Sequence, residues 1–451
     1  MLAVTTAHAQ AEQTGSGYGP SPDAASSSLD AGSDIGSGVT RVDSAVLLYQ
    51  EAGSRVKAVE PVVSVALNAS DGETLSLRYT ADTLTGATPN GATPWSQPQT
   101  FTTPARAPST TTTVTGASGG AQLVTIPGSG TVVRQYTGAA NQLPLDPGFR
   151  DQRNALDIGY ATPWGPTARW SVGGGYSKER DFTSYSVNTG LSHDFNDHNT
   201  RLSAAVNFEF DNSSPLFGVP TAFTAMNGDR KGGAKSRTEE DFVVGVTQAM
   251  TRFWVMQLNY SYGVLSGYQT DPYRIISVID PSSGAPVQYL YESRPNQRTR
   301  QSVYLANKLA LGPTFADVSA RLYHDDWGIS SSTLEASDRI PLFSNFYVEP
   351  GARYYHQSKA DFFDNYLLSG APLPHYASSD SRLDAFSATT TSLQLGYEFA
   401  GRSSELYLRY QDYRQTGASH PAGAIGTLAN QHLFGGADAT SVVVGLSLAI
   451  Y

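Results

Sequence analysis

The sequence predicts an all-β fold, a transmembrane antiparallel up-and-down β-barrel of about 16 strands with short turns at one rim and long loops at the other. Three observations predict it. Apolar and polar residues alternate with period two along most of the chain, which sorts them onto opposite faces of strands. No run approaches the roughly 18 apolar residues a membrane-spanning helix needs. The connections fall into short and long classes by parity, as they do in barrels of the bacterial outer membrane.

The chain begins MLAVTTAHA at 1–9, an apolar stub closing on an Ala-His-Ala triplet. It reads as the end of a secretory signal peptide, without the basic region that usually precedes the apolar part. Residues 10–40 are Gly, Ser, Ala and Asp with almost no large apolar side chain, which predicts a flexible periplasmic segment. The barrel is expected over 41–451, with strands near 41–50, 54–67, 72–82, 152–162, 167–178, 182–195, 200–211 and 239–250 in its first half. The second half places them near 252–265, 299–311, 315–325, 329–339, 345–356, 387–400, 404–414 and 440–451.

Links after even-numbered strands are all short, for example FNDHN at 195–199 and GPT at 312–314. Links after odd-numbered strands include every long one: 83–151, 212–238, 266–298, 357–386 and 415–439. A soluble sandwich has no reason to sort its loops in this way. Aromatic residues collect at strand ends, Trp170 and Trp254 toward the short-turn rim and Tyr176, Tyr262, Tyr354 and Tyr410 toward the long-loop rim. Two such belts are what amphipathic rings prefer at membrane boundaries. Pro61 and Pro350 fall inside strands and are expected to mark bulges or shifted boundaries.

The last stretch, ATSVVVGLSLAIY at 439–451, alternates Val442, Val444, Leu446, Leu448 and Ile450 with Val443, Gly445, Ser447 and Ala449. Such a face needs lipid to cover it, and a first strand to close the edge. Tyr451 falls in phase with the smaller set, so two registers stay open at this end.

Composition narrows the class further. The apolar share is only 39%, which suits a wall that is half polar along every strand. The absence of Cys excludes disulfides and thiolate metal sites. A net charge of −10 argues against nucleic acid as a partner.

RVDSAVLLYQEAGSRVKAVEP at 41–61, DGETLSLRYTADTLTGATPNGATP at 71–94 and QPQTFT at 97–102 resemble the N-terminal hallmark of a bacterial family catalogued only as a domain of unknown function. The resemblance runs from about residue 41 to the end, by motif at first and by layout thereafter. It implies an outer-membrane barrel, often encoded near a periplasmic flavin-transferase lipoprotein. It implies no substrate, cofactor or catalytic residue.

Motifs that could carry chemistry are weak. GDRKGGAKS at 228–236 has Ala234 where a phosphate loop needs Gly before Lys, and it lacks a strand-to-helix context. The Gly run at 173–175 reads as close packing within a strand. His324, Asp325, Asp326, His356, Asp361, Asp364 and His375 collect toward the outer rim, where imidazole and carboxylate could serve hydrolysis or hold a divalent metal. Their spacing matches no metal motif, so no metal, cofactor or catalytic residue is assigned.

The lumen is the better candidate. Arg78, Asp157, Arg169, Glu209 and Asp317 fall in the inward phase and are expected to line a pore. So do Arg321, Glu349, Arg353, Glu398 and Arg409. Mixed charges across a water-filled interior can filter solutes, or they can brace the wall. The expected function is passage of a small polar or ionic solute across the bacterial outer membrane, with lipid and lipopolysaccharide outside the wall. One alternative is a binding or structural barrel plugged by its own loops and serving a periplasmic or surface partner protein. Another is a rim hydrolase or metal-binding barrel.

Overall fold

In the computed structural model, which describes residues 39–69, 71–104, 122–125, 132–226 and 230–451, one antiparallel sheet closes on itself through 16 strands. The expected signal-peptide end at 1–9 and all but the last two residues of the 10–40 segment lie outside the described residues. We number the barrel strands β1 Thr40–Glu51, β2 Lys57–Asn68, β3 Thr74–Pro89, β4 Leu145–Pro163, β5 Ala168–Lys178, β6 Phe182–Phe195, β7 Thr200–Ser213 and β8 Lys235–Thr251. They continue as β9 Trp254–Gly267, β10 Gln297–Leu311, β11 Thr314–Asp325, β12 Ser330–Pro341, β13 Phe346–Gln357, β14 Phe386–Phe399, β15 Ser404–Gly417 and β16 Ala439–Ile450.

Each strand pairs with its sequence neighbour, and β16 pairs with β1, so no edge is left with open backbone groups. The alternation decides the faces. Val46, Val444, Leu408, Leu395 and Val348 occupy matching register positions on adjacent strands and form one row around the outside. Leu408 and Leu395 leave about half their surface uncovered by protein (47% and 50%), as side chains do when lipid is their solvent. Replacing Leu408 with Arg places a charge in this row and is expected to cost about 2–4 kcal/mol, read as a lower urea midpoint for folding into vesicles. An unchanged midpoint would show that this row does not meet lipid.

The terminal register is settled by the same criterion. Val444 and Ile450 face outward while Ala439, Ser441, Val443 and Ser447 are buried inward. Tyr451 lies beyond the strand and is exposed. The belt tyrosines Tyr176, Tyr262, Tyr354 and Tyr410 are all exposed on the outer face, and Trp254 is anchored there by its indole N–H to Asn307 at 3.0 Å.

Pro61 and Pro350 correct the expectation of bulges. Between β2 and β3 the pairing stops after Val59 with Thr83 and resumes at Val62 with Thr80, in unchanged register. Between β12 and β13 it stops after Ser337 with Gly351 and resumes at Ile340 with Val348, again without a shift. The imide nitrogen cannot donate on that side, so the ladder is interrupted rather than displaced. The register shifts that do occur within the described barrel lie at Gly86–Thr88 and Ala249–Thr251.

Strands β3 and β4 run further than alternation predicts, to Pro89 and from Leu145, so the first long loop is 90–144. Gly445 and Gly396 illustrate how the inner wall is packed. The Tyr407 ring lies over Gly445 and the Tyr347 ring over Gly396, each occupying the space a Cβ would need. The glycines thus let lumen-facing rings lie flat against the wall.

Candidate functional site

All ten residues expected to line a pore lie on the inward register of their strands, and the structure sorts them by what they touch. Arg169 is a brace: its guanidinium donates to the Gly72 carbonyl at 2.8 Å and to Thr74 Oγ1 at 2.7 Å, fixing the short turn between β2 and β3. Glu398 accepts from Arg339 at 2.8 Å, and Arg339 also reaches Glu405 at 2.8 Å while stacking on the Tyr347 ring. Arg409 donates to Gln394 Oε1 at 2.8 Å, and Gln394 in turn faces Glu349 across β13 and β14. These groups build a hydrogen-bonded wall on β12 to β15 near the short-turn rim.

The others are less constrained. Arg78 and Asp157 stand directly opposite each other on β3 and β4, and Asp157 is exposed to the interior. A Cβ at Gly175 would meet the Asp157 carboxylate, which explains one member of the Gly run. Lys308 and Asp317 approach to 3.8 Å, with side chains 66% and 47% exposed. Arg321 stacks 5.0 Å from the Tyr304 ring, and Arg353 lies 6.0 Å from that of Tyr355. Glu209 is the exception in depth, fully buried with Ser184 donating to it at 2.9 Å.

Depth matters because the long loops close the outer mouth. Links 90–144 and 268–296 are anchored six strands apart on the barrel, so they meet only by crossing its opening. They do meet, in an apolar core of Ala92, Phe101, Tyr136, Ile275 and Tyr291, joined by Met226 of loop 214–234. Strand Ile275–Ile279 pairs antiparallel with Pro286–Tyr291 and parallel with Leu367–Leu368, tying loop 268–296 to loop 358–385. Phe434 of loop 418–438 turns inward and packs with Leu47, Tyr49, Phe386 and Tyr413 on the wall itself. Arg55 holds that loop by donating to the Gly436 carbonyl at 2.7 Å.

A buried ion network pins this cap. Arg294 reaches Glu292 at 2.6 Å and Asp380 at 2.8 Å, with all three side chains essentially inaccessible. Arg382 meets the same Asp380 carboxylate at 2.5 Å, and Arg274 approaches it at 3.8 Å. Arg274 also donates to the Pro89 carbonyl at the root of loop 90–144. Burial alone would raise the Asp380 carboxyl, but Arg274, Arg382 and Arg294 outweigh it and hold it well below its ordinary range. Glu292 shifts the other way, because burial outweighs Arg294. Of these two carboxyls, Asp380 is therefore the firmly ionised one.

The rim residues singled out from sequence do not gather at one place. His324 and His356 are exposed on the outer face, bonded to Ser330 at 2.9 Å and Ser387 at 3.0 Å. Asp325, one residue on, points inward and binds Arg298 at 2.5 Å. Period two separates them: neighbouring strand residues cannot share a face. Among the described residues no three His, Asp or Glu side chains gather where a metal could be held. Of the phosphate-like loop, Gly228 and Asp229 lie outside the described residues. Arg230 stacks 4.7 Å from Tyr291, inside the cap.

Sequence reasoning missed the cap network altogether. Its members lie in loops without periodicity, and Arg294 and Asp380 are joined only by folding.

Comparison with known proteins gives one family. Residues 20–448 match the profile described as "Protein of unknown function (DUF3570)". No curated protein matches. Among solved structures, a mutant of the ferric enterobactin receptor PfeA from Pseudomonas aeruginosa aligns at 10% identity and a TM-score of 0.41, over 88% of this chain and 57% of that one. The chain therefore spans little more than half the length of that receptor. OpdK from Pseudomonas aeruginosa with vanillate aligns at 9% identity and 0.37, over 91% and 98%. The TodX monoaromatic hydrocarbon channel aligns at 11% and 0.38, over 94% and 92%. Likeness at this level is one of barrel architecture.

Proposed function

The chain belongs to the DUF3570 family, and from its own geometry we propose that it is an outer-membrane channel for small polar or ionic solutes whose outer mouth is shut by a folded loop cap in the state described. The observation that carries this reading is the lower lumen. Sixteen strands leave a bore wider than side chains fill, and inward residues there, such as Asp157, Lys308 and Asp317, remain open to water. A polar interior beneath a cap whose loops join through discrete contacts is what a gated pore requires.

The test is conductance of the refolded protein in a planar bilayer, beside Asp380→Ala. Rare or brief open steps are expected from the parent chain, and more frequent steps once the cap is unpinned. Folded barrels that stay silent in both forms would sink the channel reading.

A second reading is favoured by the cap itself. Its apolar cores and buried ions join the loops into one folded layer, which suits a barrel that displays a surface or serves a periplasmic partner. A silent bilayer would move the weight there.

A further inference from the structure

The wall beneath the cap is lopsided in charge. On β4 to β8 and the short link between β5 and β6, the inward side chains Asp151, Glu179, Glu209, Asp211, Glu239 and Asp241 face Arg153, Arg237 and Arg300. The guanidiniums are committed: Arg153 to Asp82 at 2.6 Å, Arg237 to Asp211, and Arg300 to Glu239 and, at 2.9 Å, to Asp241. Carboxylates remain in excess.

Register sharpens the point. Glu209 stands directly opposite Glu239 across β7 and β8, with 1% and 2% of their surface exposed. Two carboxyls at that spacing ionise together only at a cost, which a bound cation would lower. Among the described residues no N–H or hydroxyl donor reaches three buried carboxylate oxygens of this wall, Glu179 Oε1, Glu209 Oε2 and Asp211 Oδ1. A buried acceptor without a donor costs free energy that a visiting positive charge would recover. Glu209 and Glu239 lie four residues from the strand ends that carry loop 214–234, in the outer part of the lumen.

We propose that this wall is a cation station, and that the lumen passes cations in preference to anions. The inference rests on the channel reading and names its substrate class. With no convergent trio of ligating side chains among the described residues, the station takes a hydrated monovalent ion or an organic ammonium rather than a chelated metal. Rings of Asp and Glu act in this way in cation channels.

The test is reversal potential in a KCl gradient, with Asp380→Ala as the background so that the mouth is open. Potassium is expected to permeate several-fold better than chloride. Glu179→Gln combined with Glu209→Gln should lower that ratio by at least about twofold. Glu240→Gln, on the outward face of β8, should leave it unchanged. Heat-shifted gel mobility of each variant establishes that the barrel is folded. Open steps that favour chloride, or a ratio indifferent to the double substitution, would overturn the station and leave the channel standing. Silence in every folded form would overturn both.

Discussion

Asp380→Ala is expected to release the cap while leaving the barrel closed. Asp380 accepts from Arg294 and Arg382 and attracts Arg274, so its loss leaves buried Arg294 with Glu292 alone and Arg274 and Arg382 with Asp271. Removing one partner of a buried pair typically costs about 3–5 kcal/mol, because the remaining charge is left uncompensated. That energy falls on the contact between loops 268–296 and 358–385, far from the ladders that hold the sixteen strands. Loop segments should become protease-sensitive and exchange backbone hydrogens faster, while resistance to heating in detergent stays near that of the parent. Loops that keep their protection would show that the apolar cores hold the cap without the ions.

The same network makes a statement about acid. A carboxyl held below its ordinary value of 3.8 stabilises the fold at every pH above that value, and the benefit fades only as pH falls further toward the folded-state value. Mild acidification should therefore leave the Asp380 contacts intact.

Arg300→Ala is the second large effect, and it falls on the wall. Arg300 lies between Glu239 and Asp241, both buried on β8. Without it, two carboxylates face each other with no cation between them, and a loss of about 3–5 kcal/mol in barrel stability is expected. Refolding yield and the urea midpoint should both fall. Adding Glu239→Gln and Asp241→Asn removes the stranded charges and should recover most of the loss. A single variant as stable as the parent would mean that water reaches this wall freely.

How much of this could be read from sequence differs by level. The barrel was legible because its rule is local: in Glu405–Tyr410 or Arg201–Asp211 each residue's face follows from its parity, and lipid outside with water inside makes the two faces chemically distinct. The inward phase of Arg78, Glu209 or Arg409 followed from the same rule. What each inward charge does was not legible. Arg169 bracing a turn and Lys308 standing nearly free differ only in their neighbours on adjacent strands. The rim histidines stand two strands apart at one rim, as the strand layout places them, and parity turns His324 away from its neighbour Asp325, so the two share no site. The cap obeys no period at all. Its contacts join loops separated by whole strand pairs, and only the closed barrel brings those loops to one mouth.

That dependence has a consequence for biogenesis. The seam pairs Arg41 with Ala449, almost the full length of the chain, so closure waits for the final strand to arrive. Contacts so distant in sequence form late and slowly. The loops bridge distant parts of a ring that does not exist until then, and Phe434 packs on β1, β14 and β15 at once, which only the closed seam brings together. The protein is thus expected to insert as an unlidded sheet and to seal its entrance only after the seam closes. A chain halted before β16 would present the loops but never the lid, and surface accessibility of loop tags during assembly would report the moment of sealing.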